Sequence, residues 1–175
     1  VEAYDQDRIK KHEFTRPVKE NDRVRQIDTL NAQTGPVFLV YRANPAVDGV
    51  LQEVAVGEPE IDVTAERDGV RHEIWRVDKA EQVTALTAAF DAMPAIYVAD
   101  GHHRYETACT YRDQLADAGP LDANHPANFV LMMCVGMNDP GMVVLPTHRL
   151  FRGLPPATSE ELALRLAPVA GAITR

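Results

Sequence analysis

Ala95-Ile-Tyr-Val-Ala-Asp-Gly-His-His-Arg-Tyr-Glu-Thr-Ala108 is the stretch on which the reading of this chain turns. Ala95 to Ala99 is a continuous apolar run of strand length, the mark of a strand buried on both faces. Asp100-Gly101 then breaks the run, and a helix is predicted from there to about Ala118, with Gly119-Pro120 closing it. A buried strand that passes through a glycine into a helix leaves the first-turn N–H groups free at the positive end of the helix dipole. Such a junction can hold an anion. Gly101 permits a sharp turn and close approach of a ligand to the backbone. Arg104 offers a fork that fits phosphate or carboxylate. His102 and His103 can donate to phosphate oxygens or exchange protons near neutral pH. The plainer alternative is a tight turn in which Asp100 caps the helix and the histidines face water.

Outward from this stretch the same grammar recurs. Pro17 to about Ala32 has helical spacing through Val24, Ile27 and Leu30, and Gly35-Pro36 stops it. Val37 to Tyr41 is a second buried-strand run, and Asn44-Pro45 reads as an N-cap with proline in the first turn of a short helix. Ile61 to Thr64 and Val70 to Val77 flank Asp68-Gly69, a hairpin signal. Asp78 can cap a helix carrying Val83, Leu86, Phe90 and Met93 on one face, ended by Pro94. Asn128 to Gly136 and Met142 to Pro146 read as strands around a turn at 138–141, and Ser159 opens a last helix. Helices alternate with strands but a hairpin intervenes, so the expected class is α/β of the mixed α+β kind: a mixed sheet with a β-hairpin and flanking helices, in one domain spanning residues 1–175.

Bulk properties narrow the function. The chain has 175 residues, 18 Lys+Arg against 26 Asp+Glu, and a net charge of −8. That length supports a substantial core without staples. The acidic balance and 6% aromatic content argue against nucleic acid as a partner, because broad backbone binding needs positive charge and single strands need stacking platforms. No apolar run reaches membrane-spanning length, so no membrane partner is expected. Cys109 and Cys134 fit neither a zinc pair nor a disulfide framework, which makes a reducing, cytoplasmic setting the expectation.

Two further segments carry chemistry-bearing residues. Lys10-Lys11-His12-Glu13-Phe14-Thr15-Arg16 would suit a lid over a charged ligand, with Glu13 as a general base and Arg16 as a clamp; a solvated surface is the alternative. Thr147-His148-Arg149 follows the apolar run from Met142, where strand ends commonly place ligand groups. Metal ligation is the rival reading. His102 and Glu106, or His103 and Glu106, could share a helix face and recruit Asp100 or His148. Those spacings arise often by chance and no second ligand pair accompanies them, so no metal site built of protein ligands alone is expected. Mg²⁺ arriving with a nucleotide is the expected form of any metal dependence.

The blocks ADGHHRYETA at 99–108, KHEFTRP at 11–17 and VLPTHRL at 144–150 together resemble an uncharacterised bacterial family, a domain of unknown function. Members of that family are about twice this long, so this chain is expected to be a piece lacking an N-terminal part. More distantly, strand, DGHHR and helix resemble the phosphate-binding signature of the ParB/sulfiredoxin-like superfamily, which includes CTP-hydrolysing partition proteins, sulfiredoxin and kinases of free serine. The resemblance implies that Asp100, Gly101, His102, His103 and Arg104 cradle nucleotide phosphates. No cysteine lies between Asp100 and Arg104, which disfavours sulfinic-acid repair. The expected function is binding of a nucleotide or phosphorylated small molecule at this turn, with phosphoryl transfer to a small polar acceptor such as an amino acid. Glu13 and His103 would be catalytic, and Arg16, His148 and Arg149 would bind the acceptor. The alternative is a non-catalytic nucleotide-sensing or interaction module.

Overall fold

The computed structural model describes residues 6–145, 152–153 and 155–170. These fall into two compact units, Val1–Met142 and Val143–Arg175.

The first unit is built on a four-stranded mixed sheet in the order β1-β5-β2-β6. β5 (Ile96–Asp100) pairs parallel with β1 (Ile9–Lys10) and antiparallel with β2 (Val37–Tyr41), and β2 pairs parallel with β6 (Met132–Gly136). Four of the five residues of β2 are buried, as a continuous apolar run requires. α1 (Pro17–Leu30) packs against α4 (His102–Ala118), and α2 (Pro45–Ala55) packs against α3 (Ala80–Asp91). Ile9, Val37, Leu39, Val98, Tyr105 and Cys109 form one core cluster; Tyr41, Val47, Ala89 and Met93 form another. β3 (Ile61–Thr64) and β4 (Arg71–Ile74) make a separate antiparallel hairpin, exposed throughout, with Gly69 at φ +69° in its turn.

Asn44 behaves as its type demands, its Oδ1 accepting from the N–H groups of Ala46 (3.0 Å) and Val47 (3.4 Å). Asp78 does not cap α3: the N-cap is Lys79, with no side-chain bond, and the Asp78 carboxylate lies 3.8 Å from Arg76 instead.

The predicted strand from Asn128 begins only at Met132. Pro126–Asn128 form a 3₁₀ turn, and Gln33 replaces the ladder at the next residues. Its Nε2 donates to the Phe129 carbonyl (2.8 Å) and its Oε1 accepts from the Leu131 N–H (3.2 Å). Residues 142–145 are not a strand either. Val143, Val144 and Leu145 are exposed, and an apolar run becomes a strand only where a neighbouring strand pairs with it.

The second unit contains α5 (Pro156–Ala170), which starts at the proline that suits a first helical turn rather than at Ser159. Among the described residues, no helix is long and apolar enough to cross a membrane.

Candidate functional site

Asp100 ends β5, Gly101 makes the turn and His102 opens α4, so the strand, turn and helix read from the sequence are all present. Gly101 sits at φ +91°, in the left-handed region that a side chain penalises. A Cβ there would also lie 2.8 Å from Arg104 Nη2 and 2.9 Å from its Nε. The guanidinium is thus laid directly over the turn, where Nη2 donates to Asp100 Oδ2 at 2.9 Å. Asp100 is largely exposed, so this pair contributes at most about 1 kcal/mol, and it aims the arginine more than it stabilises the fold.

The segment before α1 crosses this helix start. β1, which the sequence analysis left unread, docks it: Ile9 stands opposite Ile96, and the Ile96 N–H donates to the Arg8 carbonyl (2.9 Å). The chain then runs along the first turn of α4. The His12 N–H donates to His102 Nε2 (3.4 Å), and the Arg16 N–H donates to His103 Nε2 (3.1 Å). Residues 12–16 therefore form a strap pinned by its own backbone to both histidines.

The bond to His102 places the proton on that ring. An Nε2 that accepts must carry its lone pair outward, which leaves the proton on Nδ1. His102 is only 6% exposed, and burial is the main cause holding its pKa below the ordinary histidine value, with the neighbouring His12 adding to it. Glu13 and Asp100 oppose that shift without cancelling it. His102 is therefore the neutral Nδ1–H tautomer at neutral pH. Its Nδ1 faces Glu13 Oε2 at 3.8 Å, just outside hydrogen-bond reach. The His12 ring meets the His102 ring edge to face, with centroids 4.4 Å apart.

His12, Glu13 and His102 each offer one ligand atom, all within 4.8 Å of one another, a grouping that could hold a metal ion. The sequence spacings pointed instead to Glu106 and Asp100. A metal on His102 would have to displace either the His12 N–H from Nε2 or the proton from Nδ1. The geometry thus favours an imidazole held by the strap's backbone and facing the Glu13 carboxylate over ligation.

Of the residues singled out in the sequence, the structure brings Asp100, Gly101, His102, His103 and Arg104 together at the turn, and Glu13 and Arg16 join them through the strap. His148 and Arg149 lie outside the described residues. His12 was passed over; its signal was membership of the same basic segment.

Three buried polar atoms on α4 have no hydrogen-bond partner among the described residues: Arg104 Nε, Thr107 Oγ1 and Arg112 Nε. Each such orphan costs about 1–3 kcal/mol. A larger apolar cavity of about 600 Å³, lined by Ile27, Tyr111, Leu115, Phe129 and Leu131 among others, contains none of the turn residues.

The family model described as "Protein of unknown function (DUF1015)" matches residues 1–172. The chain belongs to that family. The assignment agrees with the resemblance carried by the three sequence blocks, two of which, ADGHHRYETA and KHEFTRP, form the candidate site just described. No curated protein and no solved structure matches the chain.

Proposed function

We propose that the Asp100–Arg104 turn binds the phosphates of a nucleotide or another phosphorylated small molecule, and that the chain transfers a phosphoryl group to a small polar acceptor such as an amino acid. The observation that carries this reading is the strap. Its two N–H···Nε2 bonds bring Glu13 and Arg16, distant in sequence, to a helix N-terminus that already presents Arg104. The likeness of the turn to ParB/sulfiredoxin-like phosphate sites supports it as well.

In this reading the free amides at the start of α4 receive phosphate oxygens, and Arg104 and His103 stabilise the charge of the transferred group. The acceptor hydroxyl gives its proton to Glu13 as its oxygen bonds to phosphorus and the bond to the leaving phosphate breaks. Arg16, with His148 and Arg149, holds the acceptor. Mg²⁺ arriving with a nucleotide would be held mainly by phosphate oxygens and water, with Asp100 and Glu13 the carboxylates available at the turn, and would spread the phosphate charge.

The test is thermal unfolding against nucleoside triphosphates, pyrophosphate and phosphoserine, with and without Mg²⁺. A ligand at about 100 times its Kd adds about 2.7 kcal/mol, a rise of roughly 5–11 °C for a chain of this size. A rise confined to one ligand class and lost in His103→Ala supports the turn as the site; no rise with any of them refutes it. Glu13→Gln should abolish turnover while preserving that rise. Binding without turnover in the parent chain would make the protein a nucleotide-sensing module rather than an enzyme.

A further inference from the structure

A second cavity, of about 230 Å³, shares Arg104 with the turn and is lined by Arg23, Gln26, Gln33, Thr34, Gly35, Arg104, Thr107 and Val130. Its walls come from α1, the segment before β2, the first two turns of α4 and the segment before β6, so no contiguous sequence motif announces it. Its character is nonetheless clear. The lining holds two guanidinium-bearing residues, two carboxamides and two hydroxyls, and no carboxylate. Among the described residues, the Arg23 side chain makes no ion pair or hydrogen bond.

The buried orphans point the same way. Thr107 is 1% exposed and its Oγ1 has no partner; Arg104 Nε, one helical turn earlier, is a buried donor with no acceptor. The arginine stem reaches this place by lying against Gly35, whose missing Cβ would meet Arg104 Cδ at 3.4 Å. A hydroxyl, an Nε–H and a second arginine converging on one polar cavity lack a common acceptor. An anionic oxygen supplies it.

We propose that this cavity is a binding site for a small anion bearing a phosphate or carboxylate group, in addition to the turn site and independent of its role. Arg104 belongs to both, its Nη2 paired with Asp100 at the turn while its side chain also lines the cavity. The anion's oxygens would accept from Arg104 Nε, Arg23 and the Thr107 hydroxyl, while Gln26 and Gln33 contact the remainder of the ligand.

The experiment uses inorganic phosphate and acetate as probes in calorimetric titration and thermal unfolding of the full chain. It compares the parent with Thr107→Val, Arg23→Gln and, as the turn control, His103→Ala. Phosphate or acetate should bind the parent, and which of the two binds more tightly identifies the head group. Affinity at the cavity should fall about tenfold in Thr107→Val and in Arg23→Gln and be retained in His103→Ala, which removes only phosphate bound at the turn. Without anion, Thr107→Val should be at least as stable as the parent, because it removes a hydroxyl that has no partner. Three results would each overturn the proposal: neither probe binding the parent, affinity unchanged in both cavity variants, or Thr107→Val unfolding at a clearly lower temperature without anion. Loss of binding in His103→Ala with retention in the cavity variants would place the anion at the turn, which leaves the turn reading standing and removes this one.

Discussion

Replacing Gly101 by alanine should destabilise the chain by about 2 kcal/mol, and the structure separates that figure into two parts. The backbone at φ +91° costs an L-residue about 1–2 kcal/mol. The new Cβ, 2.8 Å from Arg104 Nη2, also displaces the guanidinium. That group is the far end of a flexible side chain and can move, so the steric part costs no more than the Asp100–Arg104 pair it breaks, at most about 1 kcal/mol. For a chain of this length, 2 kcal/mol lowers the Tm by roughly 4–8 °C. Thermal unfolding of Gly101→Ala, Arg104→Ala and the double variant resolves the parts. In the Arg104→Ala background only the backbone cost remains, so the alanine should be less damaging there. A Gly101→Ala protein as stable as its parent, or one whose cost is undiminished without Arg104, would refute the account of the turn.

Acidification should loosen the strap. Burial lowers the pKa of folded His102 below its ordinary value, so its contribution to stability is complete above about pH 6.5 and is lost as pH falls from there through the folded pKa. Tm measured against pH should show this slope in the parent and a shallower one in His102→Gln; identical slopes would contradict it. Asn44→Ala removes the acceptor of two helix-start N–H groups and should cost about 1 kcal/mol, read as a Tm lower by roughly 2–4 °C. Leu39, wholly buried in the sheet core, should cost about 2–5 kcal/mol when cut to alanine, measured by denaturant unfolding with an unchanged m-value.

The parts of the fold that local chemistry dictates were legible in the sequence. Val37 to Tyr41 and Ala95 to Ala99 read as strands because their apolar runs are continuous. Asn44-Pro45 read as a helix start because the carboxamide and the proline each suit one position there. Asp68-Gly69 read as a hairpin because the glycine takes the positive φ that the turn requires. What stayed hidden depends on pairing between distant residues. β1 contains one apolar residue, Ile9, and exists only because β5 accepts it alongside. Gln33 looks like any loop glutamine until its carboxamide is seen bridging Phe129 and Leu131. The Met142 run has strand composition without a partner among the described residues. At the site, the turn was readable as one block, and Glu13 and Arg16 stood out by residue type. That the strap's backbone, rather than its side chains, grips the histidines could not be read from side-chain chemistry. The polar cavity was equally hidden, since Arg23, Gln33 and Thr107 belong to three separate segments.

The central claim is that the Asp100–Arg104 turn receives phosphate, and it is tested most directly by ¹H–¹⁵N NMR during titration with pyrophosphate and Mg²⁺. The account predicts that the backbone amides of Gly101 to Arg104 shift and saturate together, with the imidazole nitrogens of His102 and His103 responding at the same concentrations. Amide shifts absent from 101–104, or confined to the region around Arg23, Gly35 and Thr107, would contradict it.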